Sequence, residues 1–168
     1  CPTFADGLER CVRVTHRLGA LLEEAGLSCG VGDEGGFAPH LGCEEDALDL
    51  ILRAAEDCGF LPGEEIALAL DAAAGEWQTE NGLYLLPKAN RLRTPQELAE
   101  YWRRLTRKYP IISLEDPAGE DDWALWQQLT GTLGTEVQLV GDDLFVTQKK
   151  RLELGLARGA ANAVLIKP

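Results

Sequence analysis

Five short apolar segments of this chain each end in charged side chains, and this repetition constrains the fold more than any other feature. The segments are residues 29–34, 66–71, 111–116, 137–143 and 163–167. A buried strand should stay apolar to its end, because an ionised group in an apolar interior is costly unless it is paired. Charge at the ends of successive strands therefore predicts one shared edge, which is where barrel enzymes hold their active sites.

The segments between these predicted strands carry helical patterns. Apolar residues recur at helical spacing in residues 4–25, 44–58, 95–105, 123–129 and 147–158. Thr94-Pro95-Gln96-Glu97 predicts a capping box that begins the third of these helices. Strands that alternate with helices predict a parallel sheet with right-handed crossovers. Asn81-Gly82, between residues 76–79 and 83–86, predicts an inserted β-hairpin. The predicted class is α/β: a partial (β/α) barrel of about five parallel strands in a single domain of residues 1–168, because a closed barrel needs eight strands.

Composition excludes several classes of partner. The net charge of −12 argues against a nucleic-acid-binding surface, which would need a basic stripe. No apolar stretch approaches the roughly 20 residues of a membrane span, so no membrane association is predicted. The five cysteines are odd in number and none are in C-x-x-C spacing, which favours reduced thiols and a cytoplasmic setting.

Three carboxylates end three consecutive predicted strands: Asp71, Glu115 and Asp142. Neighbouring strands lie about 4.8 Å apart, so these acids are expected to converge on one small site. Like charges this close raise one another's pKa values unless a cation neutralises them. All-oxygen ligands with open positions suit Mg²⁺. The alternative is that each acid is a solvated cap at a strand-to-helix turn, but three acids in register favour the metal site.

Two further ionisable residues end the outer predicted strands of this edge. Lys167 ends the apolar strand that comes one strand after the one carrying Asp142. It either extends into solvent or lies beside the site, where nearby cations would depress its pKa and let it serve as a base. Glu34 lies on the other side of the metal ligands in strand order and could be the opposing acid. A base and an acid on opposite sides of a metal-bound carboxylate suit a β-elimination. The adjacent acids are predicted to support the ligands or to begin helices: Asp33, Asp116 and Asp143.

Several of these segments together resemble the signatures of enolase (phosphopyruvate hydratase). The similar segments are residues 31–39, 70–71, 113–117, 121–123, 140–147 and 165–167. The resemblance implies a Mg²⁺-dependent lyase of glycolysis in the cytoplasm, whose small-molecule partners are 2-phosphoglycerate and phosphoenolpyruvate. It places Asp71, Glu115 and Asp142 on the metal ligands, with Glu115 and Asp142 also among the substrate-binding residues. It places Lys167 on the proton-abstracting base and Glu34 on the acid that assists loss of the hydroxyl.

The chain also departs from the enolase pattern. Enolases carry an N-terminal α+β domain, two earlier barrel strands and later phosphate-binding residues that have no counterpart here. We therefore expect the 168-residue chain by itself to be inactive. The alternative is a catalytically dead module whose exposed strand edges, at residues 29–34 and 163–167, drive self-association into homo-oligomers.

Overall fold

The computed structural model describes residues 1–167, which divide into two compact units. The first unit is residues 1–67, and the second begins at Leu68. The single domain expected for residues 1–168 stays a prediction.

The first unit is built on two helices, α1 (Phe4–Glu24) and α2 (Glu45–Asp57), which pack against each other. Thr3 begins α1 because its hydroxyl accepts a hydrogen bond from the backbone N–H of Asp6 at 3.1 Å. The core between the helices comprises Val14, Leu21, Ala54, Ala55 and Phe60. Both helices were predicted from the spacing of apolar residues, and both are confirmed.

The strand predicted for residues 29–34 is wrong. This segment forms only an isolated antiparallel bridge between Val31 and Phe37. A tight turn closes it, because the N–H of Gly35 donates to the carbonyl of Gly32 at 2.9 Å and Gly35 has a φ of 83°. Closely spaced glycines weaken a strand through their backbone entropy. The side chain that could have packed in a sheet, Val31, is 62% exposed.

The described part of the second unit contains six strands and three helices. The strands are β1 (Leu68–Asp71), β2 (Tyr84–Leu86), β3 (Arg91–Arg93), β4 (Ile111–Glu115), β5 (Gln138–Gly141) and β6 (Ala163–Val164). The helices are α3 (Pro95–Lys108), α4 (Trp123–Leu133) and α5 (Lys149–Arg158), with a short 3₁₀ helix at Ala74–Trp77. Nowhere in residues 1–167 is there a helix with the length and apolar character needed to cross a bilayer.

Four of these strands form a parallel sheet in the order β1-β4-β5-β6. Helices α3, α4 and α5 each connect one strand toward the next, so the predicted α/β class is confirmed. Within residues 1–167 the parallel strands number four rather than about five, because residues 29–34 form no strand.

The inserted hairpin exists, but its arms differ from the predicted ones. Asn81-Gly82 does form a turn, in which the N–H of Gly82 donates to the carbonyl of Thr79 at 2.9 Å and the N–H of Thr79 donates to the carbonyl of Leu83 at 2.7 Å. The arms on its two sides meet in an isolated bridge between Gln78 and Tyr84 and form no strand pair. The antiparallel pair is instead β2 with β3. Residues 74–77 form a 3₁₀ helix, in which Trp77 stacks on Trp102 with ring centroids 6.0 Å apart. This tertiary contact keeps the first predicted arm out of the hairpin.

Helix α3 begins where the sequence predicted. The hydroxyl of Thr94 accepts from the backbone N–H of Glu97 at 3.2 Å, and the carboxylate of Glu97 accepts from the N–H of Thr94 at 2.8 Å. Pro95 occupies the first helical position, where its missing N–H has no consequence. The predicted capping box is therefore confirmed.

We expect Gly155→Ala to lower the free energy of unfolding by about 1–3 kcal/mol, because it overfills a packed site. A Cβ at Gly155, in α5, would lie 2.9 Å from Cζ of Phe145 and closer still to Cε1. That ring is 3% exposed and has little room to move. Urea denaturation measures the change. The matched control is Gly131→Ala in α4, where an added Cβ meets nothing within 4 Å and helix propensity should add up to about 1 kcal/mol. Equal stability of both variants would contradict the prediction.

Candidate metal centre

The register of the parallel sheet brings the predicted carboxylates to one edge. Asp71, at the end of β1, is the direct partner of Glu115 at the end of β4. Glu115 in turn pairs with Val140 of β5, and Asp142 follows β5 two residues later. The three acids therefore end three neighbouring strands, because the carboxyl ends of parallel strands meet at the same edge.

The acids at this edge form two overlapping groups. Asp71, Glu115 and Asp116 each offer one oxygen, and these oxygens lie within 4.8 Å of one another. Asp116, Asp142 and Asp143 form a second group under the same limit. Asp116 belongs to both groups, whereas the sequence had assigned it a supporting position. The tandem acids after β4 and β5 were the sequence signal for this arrangement.

Asp116 links the two neighbouring strand ends through its carboxylate. It is 3% exposed and has a φ of 40°, in the left-handed region that non-glycine residues rarely adopt. Its oxygens accept backbone N–H bonds from Asp142 at 3.2 Å, Asp143 at 2.8 Å and Leu144 at 3.4 Å. Burial raises the pKa of the Asp116 carboxyl, although these N–H donors oppose the increase. The side chain thereby fixes the turn that carries Asp142.

Glu115 lies in an environment that favours a bound cation. Burial is the largest cause that raises the pKa of its carboxyl, followed by the negative charges of Asp71 and Asp142. Lys167 partly offsets this effect. A nearby cation would reduce the repulsion between like charges held this close to one another.

Lys167 reaches the same edge from the chain beyond β6. Its Nζ lies 2.5 Å from Oδ2 of Asp142, whose side chain is 13% exposed. Its backbone N–H donates to the hydroxyl of Thr147 at 3.0 Å. The hydrogen bond to Asp142 is the largest cause that raises the pKa of the Lys167 ammonium. This is opposite to the depressed pKa expected from nearby cations, because the neighbouring charges of the chain itself are acidic.

Glu34 lies in the first unit, in the exposed turn that follows Val31. The structure thus brings Asp71, Glu115, Asp142 and Lys167 together in the second unit. The role assigned to Glu34 stays a prediction.

Three aromatic side chains hold the loop that follows Glu115 and Asp116. Trp102 Nε1 donates to the carbonyl of Pro117 at 2.8 Å, and Trp126 Nε1 donates to the carbonyl of Gly119 at 3.2 Å. The N–H of Gly119 donates to the hydroxyl of Tyr84 at 3.1 Å. Trp102 and Trp126 are both buried in the core. Their indole hydrogen bonds also fix the loop beside the acidic edge.

The donor atoms at this edge fit a hard divalent cation. Each of the two groups consists only of carboxylate oxygens, which are the ligands preferred by ions such as Mg²⁺. Asp116 is buried, and the negative charges of Asp71 and Asp142 contribute to the raised pKa of the Glu115 carboxyl, so a cation at this edge would reduce the repulsion among these acids. These residues can therefore hold a metal ion.

Comparison with known proteins identifies the family of this chain. Residues 1–168 match the family model described as Enolase, C-terminal TIM barrel domain. The chain belongs to the enolase family. The protein "Enolase" of Wolinella succinogenes is 48% identical over 165 residues, which cover 98% of this chain and 39% of that relative. This chain thus spans about two fifths of the length of the curated enolase it matches. The family resemblance that the sequence motifs indicated is confirmed.

Proposed function

We propose that this chain forms the metal-binding part of an enolase site, in a carbon–oxygen lyase that interconverts 2-phosphoglycerate and phosphoenolpyruvate. One observation supports this proposal above all: in a member of the enolase family, Asp71, Glu115, Asp142 and Lys167 lie at one edge of the sheet. Because that reaction belongs to glycolysis, the proposal includes a cytoplasmic location.

In the proposed reaction, the acids at this edge bind the metal ion, and other residues transfer protons. Asp71, Glu115 and Asp142 would hold Mg²⁺, with the last two also in reach of bound substrate. When bound, the metal supplies Lewis-acid stabilisation of the charge that builds on the substrate carboxylate, which is worth several kcal/mol. Lys167 removes the proton next to that carboxylate, and Glu34 gives a proton to the departing hydroxyl. A lysine base with Mg²⁺ is the established pattern of this superfamily.

A titration with Mg²⁺ tests the metal site directly. We expect Mg²⁺ to bind the chain, and Asp71→Asn or Glu115→Gln to weaken that binding by at least about tenfold, as measured by isothermal calorimetry. Glu153→Gln, an equal change of charge on an exposed side chain of α5, should leave binding unchanged. Equal weakening in all three variants would contradict a defined site, since it would indicate only a general effect of net charge.

A coupled assay tests the catalytic part of the proposal. Because the chain covers 39% of the relative, we expect the 168-residue polypeptide by itself to show no measurable dehydration of 2-phosphoglycerate. Turnover by the purified chain, lost in Lys167→Ala, would refute the inactivity and support the proton-abstracting role of Lys167.

Self-association without catalysis is the second candidate. Within residues 1–167, β1 and β6 are the outer strands of the parallel sheet, and unpaired strand edges template further pairing. Residues 29–34 no longer support this candidate, since they form no strand. A monomer by light scattering at micromolar concentration would argue against homo-oligomers.

A further inference from the structure

Cationic side chains collect in a groove between β3 and α3, and none of its lining residues belongs to the acidic edge. The groove has a volume of about 770 Å³. We call it the basic groove. The cationic residues that line it are Arg91, Arg93, Arg103, Arg104, Arg107 and Lys108. This volume lies within the range of typical ligand sites, about 300–1,000 Å³.

The region around the groove is basic, whereas the chain as a whole is acidic. Residues 91–108 contain six basic and two acidic side chains, a net charge of +4, whereas the whole chain has a net charge of −12. On an ordinary solvated surface, basic and acidic side chains are interspersed. The concentration of cations in one groove therefore indicates an anionic partner.

Two acids, Glu97 and Glu100, also line the groove, and both are already engaged. The carboxylate of Glu97 caps α3 at Thr94, and these bonds lower the pKa of Glu97, with the charges of Arg91 and Arg93 contributing further. Glu100 pairs with Arg103 within α3. The side chains of Arg91, Arg93 and Arg107 form no hydrogen bond or ion pair with any residue of the described range 1–167.

Aromatic rings hold part of the groove in place. Tyr101 is 3% exposed, and the guanidinium carbons of Arg93 and Arg104 lie 4.6 Å and 5.3 Å from its ring centroid. Nε of Arg93 is buried and has no hydrogen-bond partner, so this guanidinium has donor capacity that the described residues leave unused. Cations fixed before binding lose less conformational entropy when a ligand arrives.

We propose that the basic groove binds an acidic segment of a partner protein. Arginine guanidinium groups match carboxylates with two parallel hydrogen bonds, and several of them line the groove. A nucleic acid is less suited, because Tyr101 is buried beneath the arginines and offers no open face for base stacking.

Fluorescence anisotropy with labelled probes tests the proposal on the 168-residue chain. The probes are a Glu-rich decapeptide, a Lys-rich decapeptide and a single-stranded ten-nucleotide DNA. We expect the Glu-rich peptide alone to bind, with an affinity that falls as salt rises from about 50 to 300 mM, because screening weakens exposed ion pairs. DNA binding tighter than that of the Glu-rich peptide, or no binding of that peptide at millimolar concentration, would overturn the proposal.

Paired variants assign the binding to the groove. Arg91→Gln with Arg107→Gln, which alters neither guanidinium packed on Tyr101, should weaken peptide binding by roughly tenfold through the loss of two ion pairs. The matched control, Lys149→Gln with Lys150→Gln, removes the same charge from exposed positions at the start of α5 and should weaken it by less than about twofold. Circular dichroism confirms that both variants are folded. Equal weakening in both would refute the groove as the binding site, whatever the outcome for the metal centre.

Discussion

Asp116→Ala is expected to weaken Mg²⁺ binding by about 10- to 100-fold, as is typical when a residue that orients metal ligands is lost. The carboxylate of Asp116 accepts backbone N–H bonds from Asp142, Asp143 and Leu144. Without it, the turn after β5 loses its hold on the strand end that carries Glu115. Asp142 then no longer stays in place beside the other proposed ligands.

The same variant should also be less stable. Loss of the acceptor leaves buried N–H groups without partners, which lowers the free energy of unfolding by about 1–3 kcal/mol. Asp116→Asn keeps one acceptor oxygen at the same position, so we expect it to recover part of both effects. Recovery by the amide separates positioning of the turn from the simple loss of one negative charge.

Isothermal calorimetry with Mg²⁺ and urea denaturation provide the two measurements. Glu136→Ala is the control, because this exposed acid precedes β5 and so lies at the other end of the strand from the turn that carries Asp142. A folded Asp116→Ala variant that binds Mg²⁺ as tightly as the unaltered chain would refute the role of Asp116. The experiment does not depend on turnover by the 168-residue chain.

The elements that sequence predicted correctly are those specified by neighbouring residues. The capping box at Thr94 and Glu97 involves two residues three positions apart, so its signal is complete within one helical turn. The ends of β1, β4 and β5 were likewise readable, because each combines an apolar run with a terminal acid. Because β1 and β4 pair in parallel, Asp71 and Glu115 lie opposite each other, as the pattern of strand-terminal acids predicted.

The failures arose where a local signal lacked tertiary support. Residues 29–34 end in acids as the true strands do, yet Gly30 and Gly32 leave them few side chains to pack. The turn at Asn81-Gly82 forms, but the stacking of Trp77 on Trp102 diverts the arm before it. The antiparallel pair forms instead between β2 and β3, which follow this turn in the chain.

Long-range contacts explain what the sequence could not show at the candidate site. Asp116 contacts amides 26 to 28 residues away, and its left-handed backbone has no sequence signature beyond the tandem acid. The ion pair between Lys167 and Asp142 similarly depends on how the chain returns after β6. The sequence indicated which residues lie at the edge of the sheet. The structure adds the contacts among them, in which Asp116 accepts hydrogen bonds from the turn that carries Asp142 and Lys167 forms an ion pair with Asp142.

Trp126→Ala is expected to lower the free energy of unfolding of the chain by about 3–5 kcal/mol, the range for truncation of a large core aromatic residue. Trp126 is fully buried in α4, and its Nε1 donates to the carbonyl of Gly119 at 3.2 Å. The variant therefore loses packing and also leaves a loop carbonyl without its donor. Urea denaturation followed by circular dichroism measures the change without relying on tryptophan fluorescence.

Trp126→Phe separates these two contributions, because phenylalanine keeps most of the apolar packing but removes the indole donor. We expect it to lower the free energy of unfolding by about 1–3 kcal/mol, the penalty for leaving a buried acceptor unsatisfied. Leu156→Ala, at a side chain that is 75% exposed, should change the stability by less than about 0.5 kcal/mol. If Trp126→Phe is as stable as the unaltered chain, the indole hydrogen bond does not stabilise the loop after β4. Packing and the hydrogen bonds of Trp102 and Tyr84 would then account for the order of the chain beside Glu115 and Asp116.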